Sequence, residues 1–240
     1  MSRVPAIVIA GPGTNRDRDV EAALELAGAT VRIVLAAELV AEPTILDEAR
    51  LAVVAGGFSY ADSLGAGRML ALDLAVGLGD RLRSFVDAGR PVLGICNGFQ
   101  VLTRTGLLPG ALGHNAQGRF DCRWVVLETV PNSVSIWTKG ISDPIHCPIA
   151  HGEGRYVHPQ PEALAERGQI AVRYRSTNPN GSVDDIAGVS DPSGVVLGLM
   201  PHPENHIAAR QHPLHRRGGG GPQHLGLRLF DNGVAIAKGL

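Results

Sequence analysis

Aromatic side chains are scarce in this chain, 4% of 240 residues, and cysteine is scarcer, with three copies. Cys96, Cys122 and Cys147 are odd in number and far apart, so they offer neither a disulfide framework nor the C-x-x-C pair of a metal or redox site. Surplus charge is missing too. Twenty-two Lys plus Arg face 23 Asp plus Glu, a net charge of −1, which leaves no long-range field to gather nucleic acid or an anionic membrane. No apolar run is long enough to cross a bilayer: Val4–Ala10 is too short even for a signal h-region, and Met69–Gly79 is interrupted by Asp73. There is no G-x-x-x-x-G-K-[ST] loop, and Gly11-Pro12-Gly13 lacks the third glycine of a dinucleotide fingerprint. These absences leave a soluble protein, expected in a reducing cytoplasm, with no nucleic-acid or membrane partner, that recognises what it binds by shape.

Glycine, by contrast, is abundant at 31 positions, about twice its usual share of ~7%. Many of these glycines punctuate a regular alternation. Val4–Ala10 reads as a strand, Asp17–Ala27 as an amphipathic helix closed by Gly28, Thr30–Leu35 and Leu51–Ala55 as further strands, the last ending in Gly56-Gly57. Arg68–Ala88 has helical spacing with a break or kink expected at Gly77 and Gly79. Val92–Ile95 is a strand and Asn97–Thr105 a helix. Strand and helix in alternation predict an α/β fold: an open, mostly parallel, flavodoxin-like sheet with helices on both faces, whose ligands sit at the carboxyl ends of the strands. The second half reads as strands at Cys122–Val130, Ser133–Thr138, Ile145–Ala150, Ile170–Tyr174 and Val195–Met200, which should bring antiparallel additions to the sheet, with helices at Pro161–Arg167 and from about Leu225. No composition shift marks a linker, so residues 1–240 are expected to form one domain. The segment His215–Pro222, with four consecutive glycines, is expected to be a mobile loop rather than an RNA-binding element.

The sharpest chemical signal is Gly94-Ile95-Cys96-Asn97-Gly98, placed where a strand turns into a helix. It is the nucleophile-elbow pattern with cysteine in the nucleophile's place, and the helix dipole and unpaired amides favour the thiolate. Cys122 and Cys147 lack this context and read as core thiols. A thiolate nucleophile needs a histidine to move protons, and the histidine needs a carboxylate to orient it. Met200-Pro201-His202-Pro203-Glu204, directly after an apolar strand, supplies both: the prolines keep the chain extended, so positions 202 and 204 face the same way. A metal site built from His202, His206, His212 and His215 is the competing reading. Their irregular spacing and Pro203 count against it. The backbone amides of Asn97 and Gly57 are the candidate oxyanion donors.

Gly-Ile-Cys-Asn-Gly-Phe-Gln at 94–100 and Pro-His-Pro-Glu at 201–204 make the chain similar to the class I, triad-type glutamine amidotransferases. Further segments narrow the resemblance: Gly56–Asp62, Gly106–Gly110, His151-Gly152-Glu153-Gly154-Arg155-Tyr156 and Asn180–Val189 resemble the glutaminase subunits of phosphoribosylformylglycinamidine synthase, a purine-synthesis enzyme. The resemblance runs from about Val4 to Glu204 and, less closely, through the last helix. It implies that Cys96 attacks the carboxamide of L-glutamine, that His202 is base and then acid, that Glu204 orients it, and that Gln100, His151, Gly152 and Glu153 line the glutamine pocket. It also implies no cofactor in this chain, with ATP and Mg on a partner synthetase subunit, and a small third subunit completing the complex. The chain departs from the pattern at Ala61, where many members have glycine, at Gly65, where they have arginine, and at Ala55, usually proline. The rival readings are a stand-alone cysteine hydrolase of γ-glutamyl or peptide substrates and a non-catalytic scaffold of the same fold.

Overall fold

The computed structural model describes residues 3–218 and 220–240. Gly219, within the expected glycine loop, lies outside them; short 3-10 turns flank it at His215–Arg217 and Pro222–His224. The strands are β1 (Val4–Ala10), β2 (Ala29–Leu35), β3 (Leu51–Val54), β4 (Val92–Ile95), β5 (Ala111–Gly113), β6 (Asp121–Thr129), β7 (Ile145–His151), β8 (Arg155–Val157), β9 (Ile170–Tyr174), β10 (Ile186–Ser190) and β11 (Val196–Leu199). The α-helices are α1 (Asp17–Leu26), α2 (Ala36–Ala41), α3 (Thr44–Glu48), α4 (Arg68–Asp87), α5 (Asn97–Arg104), α6 (Pro161–Glu166) and α7 (Leu227–Lys238).

Nine strands form one mixed sheet in the order β2-β1-β3-β4-β11-β10-β9-β6-β7, and β5 pairs with β8 separately. The first five are parallel, and the remaining four run antiparallel to their neighbours. The expected open, mostly parallel sheet with antiparallel additions is thus what forms. Its physical basis is visible in the strands: Leu51-Ala-Val-Val, Val92-Leu-Gly-Ile and Val196-Leu-Gly-Leu are unbroken apolar runs buried along their whole length, as sheets covered on both faces require. The pair α1 and α7 packs by β1, and α4 packs on α5, which lies against β3, β4 and β11. β7 instead alternates buried and half-buried residues, the mark of a strand with one face covered.

Three expectations are corrected and one strand is added. Gly77 and Gly79 do not interrupt α4, which is one continuous helix; Gly77 is needed because a Cβ there would meet Val40 Cγ2 of α2 at 2.5 Å. Ser133–Thr138 is not a strand. Its Trp137 plugs into the core within a 3-10 turn, donating Nε1–H to Val195 O at 2.9 Å while α7 packs over it. Cys122 is exposed, so only Cys147 is a core thiol. Strand β10 went unforeseen because Gly188 breaks its apolar pattern. There the register with β9 shifts, and a Cβ would meet Gly198 O at 2.6 Å.

Candidate active site

Cys96 and His202 follow the ends of neighbouring parallel strands, β4 and β11, held in register with Ile95 opposite Leu199. The Cys96 amide donates to Leu199 O at 2.8 Å, and the His202 amide to Pro148 O of β7 at 2.8 Å. Cys96 adopts φ +50°, ψ −103°, the strained conformation of a nucleophile forced up between strand and helix. The flanking glycines make the turn possible. A Cβ on Gly94 would lie 2.7 Å from Gly98 O, and one on Gly98 would run into the Val54 carbonyl of β3. Only hydrogen fits at either place.

His202 is 3% exposed and Glu204 1%. The imidazole donates Nδ1–H to Glu204 Oε1 at 2.6 Å, which leaves Nε2 for proton transfer. Burial opposes a charge on this ring, but the Glu204 carboxylate and the Cys96 side chain outweigh it and raise His202 well above the ordinary histidine value. The carboxylate supplies the reason the imidazolium can exist in so dry a place.

A cavity of about 320 Å³ opens over the nucleophile, lined by Cys96, Gly57, Gln100, His151, Gly152 and Glu153. The sequence-derived pocket residues are therefore together. Asn97 is not in that lining; it opens α5, where helix amides lack partners within the helix, and its side chain accepts from Ser59 Oγ at 2.5 Å and donates to Asp62 Oδ1 at 3.3 Å and Gln100 Oε1 at 3.2 Å. Gly57, at φ +129°, forms an isolated bridge with Thr14, and a Cβ there would meet the Asn15 amide nitrogen at 2.6 Å. Gln100 donates Nε2–H to the Glu153 carbonyl at 2.5 Å, tying the elbow helix to the pocket wall. His151 is 3% exposed; its Nδ1–H is held by Asn115 Oδ1 at 3.1 Å, and its Nε2 is buried without a partner. Burial, aided by the charge of His202, lowers it to about 4, so it is neutral near pH 7.

Several contributors were not legible beforehand. Asn115 clamps the pocket wall, donating to the carbonyls of His151 at 2.9 Å and Arg119 at 3.0 Å and accepting from the Gly154 amide at 3.0 Å. Asp62, Arg119 and Phe120 also line the cavity. Asp62 is raised from the usual carboxylate value by burial and by the nearby Glu153. Its loop is wound left-handed, with positive φ at Tyr60, Ala61, Asp62 and Leu64. Tyr60 anchors it by donating to Asp73 Oδ2 at 2.6 Å, which together with burial lifts the phenol to about 12. A backbone that demands φ > 0 at position 61 accounts for glycine in the family pattern and makes Ala61 the unusual choice.

A cysteine on a strand-to-helix elbow, answered from the adjoining strand by a carboxylate-bound histidine, defines a triad amidotransferase by fold and site. Residues 3–236 match the family model of the CobB/CobQ-like glutamine amidotransferase domain. The chain is 44% identical to phosphoribosylformylglycinamidine synthase subunit PurQ of Treponema denticola, covering 86% of this chain and 89% of that one, and 39% identical to the subunit PurQ of Dehalococcoides mccartyi, covering 99% of both. Among solved structures it is similar to a chain of PurLQS from Thermotoga maritima, with TM-score 0.78 and 36% identity over 96% of this chain and 97% of that one. A glutamine amidotransferase from the same organism, 18% identical with TM-score 0.57 over 100% of this chain and 95% of its own, shares the fold. The chain belongs to the PurQ family of phosphoribosylformylglycinamidine synthase subunits.

Proposed function

We propose that this chain is the glutaminase subunit that supplies ammonia to a phosphoribosylformylglycinamidine synthase. The observation that carries the reading is the Cys96–His202–Glu204 arrangement under a cavity large enough for one glutamine. The Cys96 thiolate attacks the carboxamide carbon, and the oxyanion is met by backbone amides, for which Asn97 and Gly57 are the candidates. His202 gives its proton to the departing nitrogen, releasing ammonia and leaving a γ-glutamyl thioester on Cys96. Water, deprotonated by the same ring, then frees glutamate and restores the thiol. Gln100, His151, Gly152 and Glu153 form the wall against which the amino-acid portion of glutamine rests. The Asp62 and Glu153 carboxylates suit its ammonium, and the Arg119 side chain suits its carboxylate.

The ammonia passes to a synthetase subunit that converts formylglycinamide ribonucleotide to the amidine with ATP and Mg, with a small third subunit completing the complex, in the cytoplasm. Among the described residues no helix is long and apolar enough to cross a membrane, and all three cysteines are free, which agrees with a reducing compartment. The test is a reconstituted complex carrying Cys96→Ser. Glutamine-dependent synthesis should disappear while ammonia-dependent synthesis survives; loss of both would refute this division of labour.

A further inference from the structure

A second cavity, of about 450 Å³, shares no lining residue with the catalytic one. Arg123 and Trp124 of β6, His146 of β7, Arg175 and Thr177 beyond β9, and His212 line it. Its chemistry is one-sidedly basic. His146 Nδ1 lies 3.3 Å from His212 Nε2, the His146 ring stacks on His224 at 4.4 Å, and His206 sits 5.4 Å from His212, with Trp124 edge-on to both. Backbone carbonyls hold two of these rings: His206 Nδ1–H donates to His146 O at 2.6 Å and His224 Nδ1–H to Pro144 O at 2.8 Å. The Nε2 of His206, a fully buried residue, has no partner.

Among the described residues no carboxylate pairs with these imidazoles. Burial lowers His146 to about 4, and every charged or titratable neighbour acting on it, His224, His212, His206 and Arg175, pushes the same way. His212 is lowered likewise by burial, then by His224 and His215. Arg123 is paired with Asp121 at 2.8 Å, whereas the Arg175 guanidinium, on an exposed residue, has no side-chain partner among the described residues. Among those residues no three histidine, cysteine or carboxylate groups converge to hold a metal ion. A cavity with an unanswered guanidinium, adjacent hydroxyls of Ser176 and Thr177, and imidazoles whose protonation is opposed by burial and then by one another lacks one thing, a negative charge.

We propose that this cavity binds a phosphate-type dianion, as the free ion or as the phosphate group of a small monoester. Arg175 is its fixed charge partner. His212 Nδ1 accepts from the Leu214 amide at 3.1 Å, so its Nε2–H donates to His146 Nδ1. The entering anion supports a further proton on this pair, which opens one of the two bonds and turns an imidazole toward the anion as a donor, so binding and protonation strengthen each other.

Sulfate is the first probe, because it stays dianionic across the range and any pH dependence then comes from the protein. Titrated into the full chain at constant ionic strength and followed by Trp124 fluorescence and calorimetry, it should bind saturably and about tenfold tighter at pH 6 than at pH 8. Arg175→Gln, which alters an exposed side chain, should weaken binding by about tenfold at both values. His146→Gln should flatten the pH dependence. Inorganic phosphate and glycerol 3-phosphate compared at pH 8 identify the source: preference for the first marks the free ion, preference for the second a phosphorylated metabolite. Absence of saturable binding, equal affinity at both pH values, or an unchanged affinity in Arg175→Gln would overturn the proposal.

Discussion

Glu204 holds His202 with one oxygen only: Oε1 is 2.6 Å from Nδ1, while Oε2 is buried with no hydrogen-bond partner. The carboxylate is therefore committed to one imidazole and is under-solvated, which strengthens its pull on the proton it faces. Glu204→Gln keeps the shape and removes the charge. The ring then loses both its fixed tautomer and the support for its imidazolium, and glutamine-dependent kcat should fall by about 10²–10⁴ with KM little changed. A fall confined to KM would place Glu204 in substrate binding instead.

The elbow glycines separate geometry from chemistry. Gly98→Ala drives a methyl into the Val54 carbonyl beneath α5, so the helix must lift off β3, at a cost of at least about 2 kcal/mol. Gly79→Ala, in the middle of α4 with nothing within 4 Å of the added carbon, should instead stabilise the chain by about 0.5–1 kcal/mol. Urea denaturation of the two variants beside the parent checks both signs.

These glycines also mark the boundary of what could be read in advance. The triad was legible because β4 and β11 are short, wholly apolar runs that fix where the chain emerges at the sheet edge, and Cys96 and His202 stand at those exits. Gly77 carries no such context: it serves Val40 of α2, a helix of six residues whose pattern is too brief to recognise. Asn115 could not be found from spacing, since it meets His151 from 36 residues away. The basic cavity was hidden for the same reason, His146 and His212 being 66 residues apart and adjacent only after β7 and the segment beyond Glu204 have packed.

Acid should unfold the protein through the half-buried His146 and the buried His151. His146 and His151 are each lowered to about 4 from an unfolded value of 6.5, chiefly by burial. Above about pH 6.5 both states hold these rings neutral, and their contribution to stability is complete. Between pH 6.5 and 4 the unfolded chain binds protons that the folded chain refuses, so stability falls as pH falls, and below about 4 the loss is complete. His202 has the opposite sign: raised by Glu204 and Cys96 against burial, it contributes fully below its unfolded value and loses that contribution as pH rises toward its folded one. The midpoint of urea unfolding should therefore peak near pH 6.5 if these groups dominate. His146→Gln should reduce the slope on the acid side and leave the alkaline side alone.

The mouth of the catalytic cavity carries exposed apolar side chains on which a synthetase is expected to dock. Phe58 and Phe120 stack with ring centroids 6.3 Å apart while remaining 45% and 51% exposed, and Leu64, on the left-handed loop beside them, is 72% exposed. Large apolar side chains left in water around an active-site entrance fit a surface that is covered in a complex. Leu64→Asp removes no buried contact of the free chain. It should weaken association with the synthetase by about 10–100-fold, measured by sedimentation or surface binding. Glutamine hydrolysis by the free chain should be unchanged in this variant. Only its stimulation by the synthetase should be lost, and an undiminished stimulation would place the docking surface elsewhere.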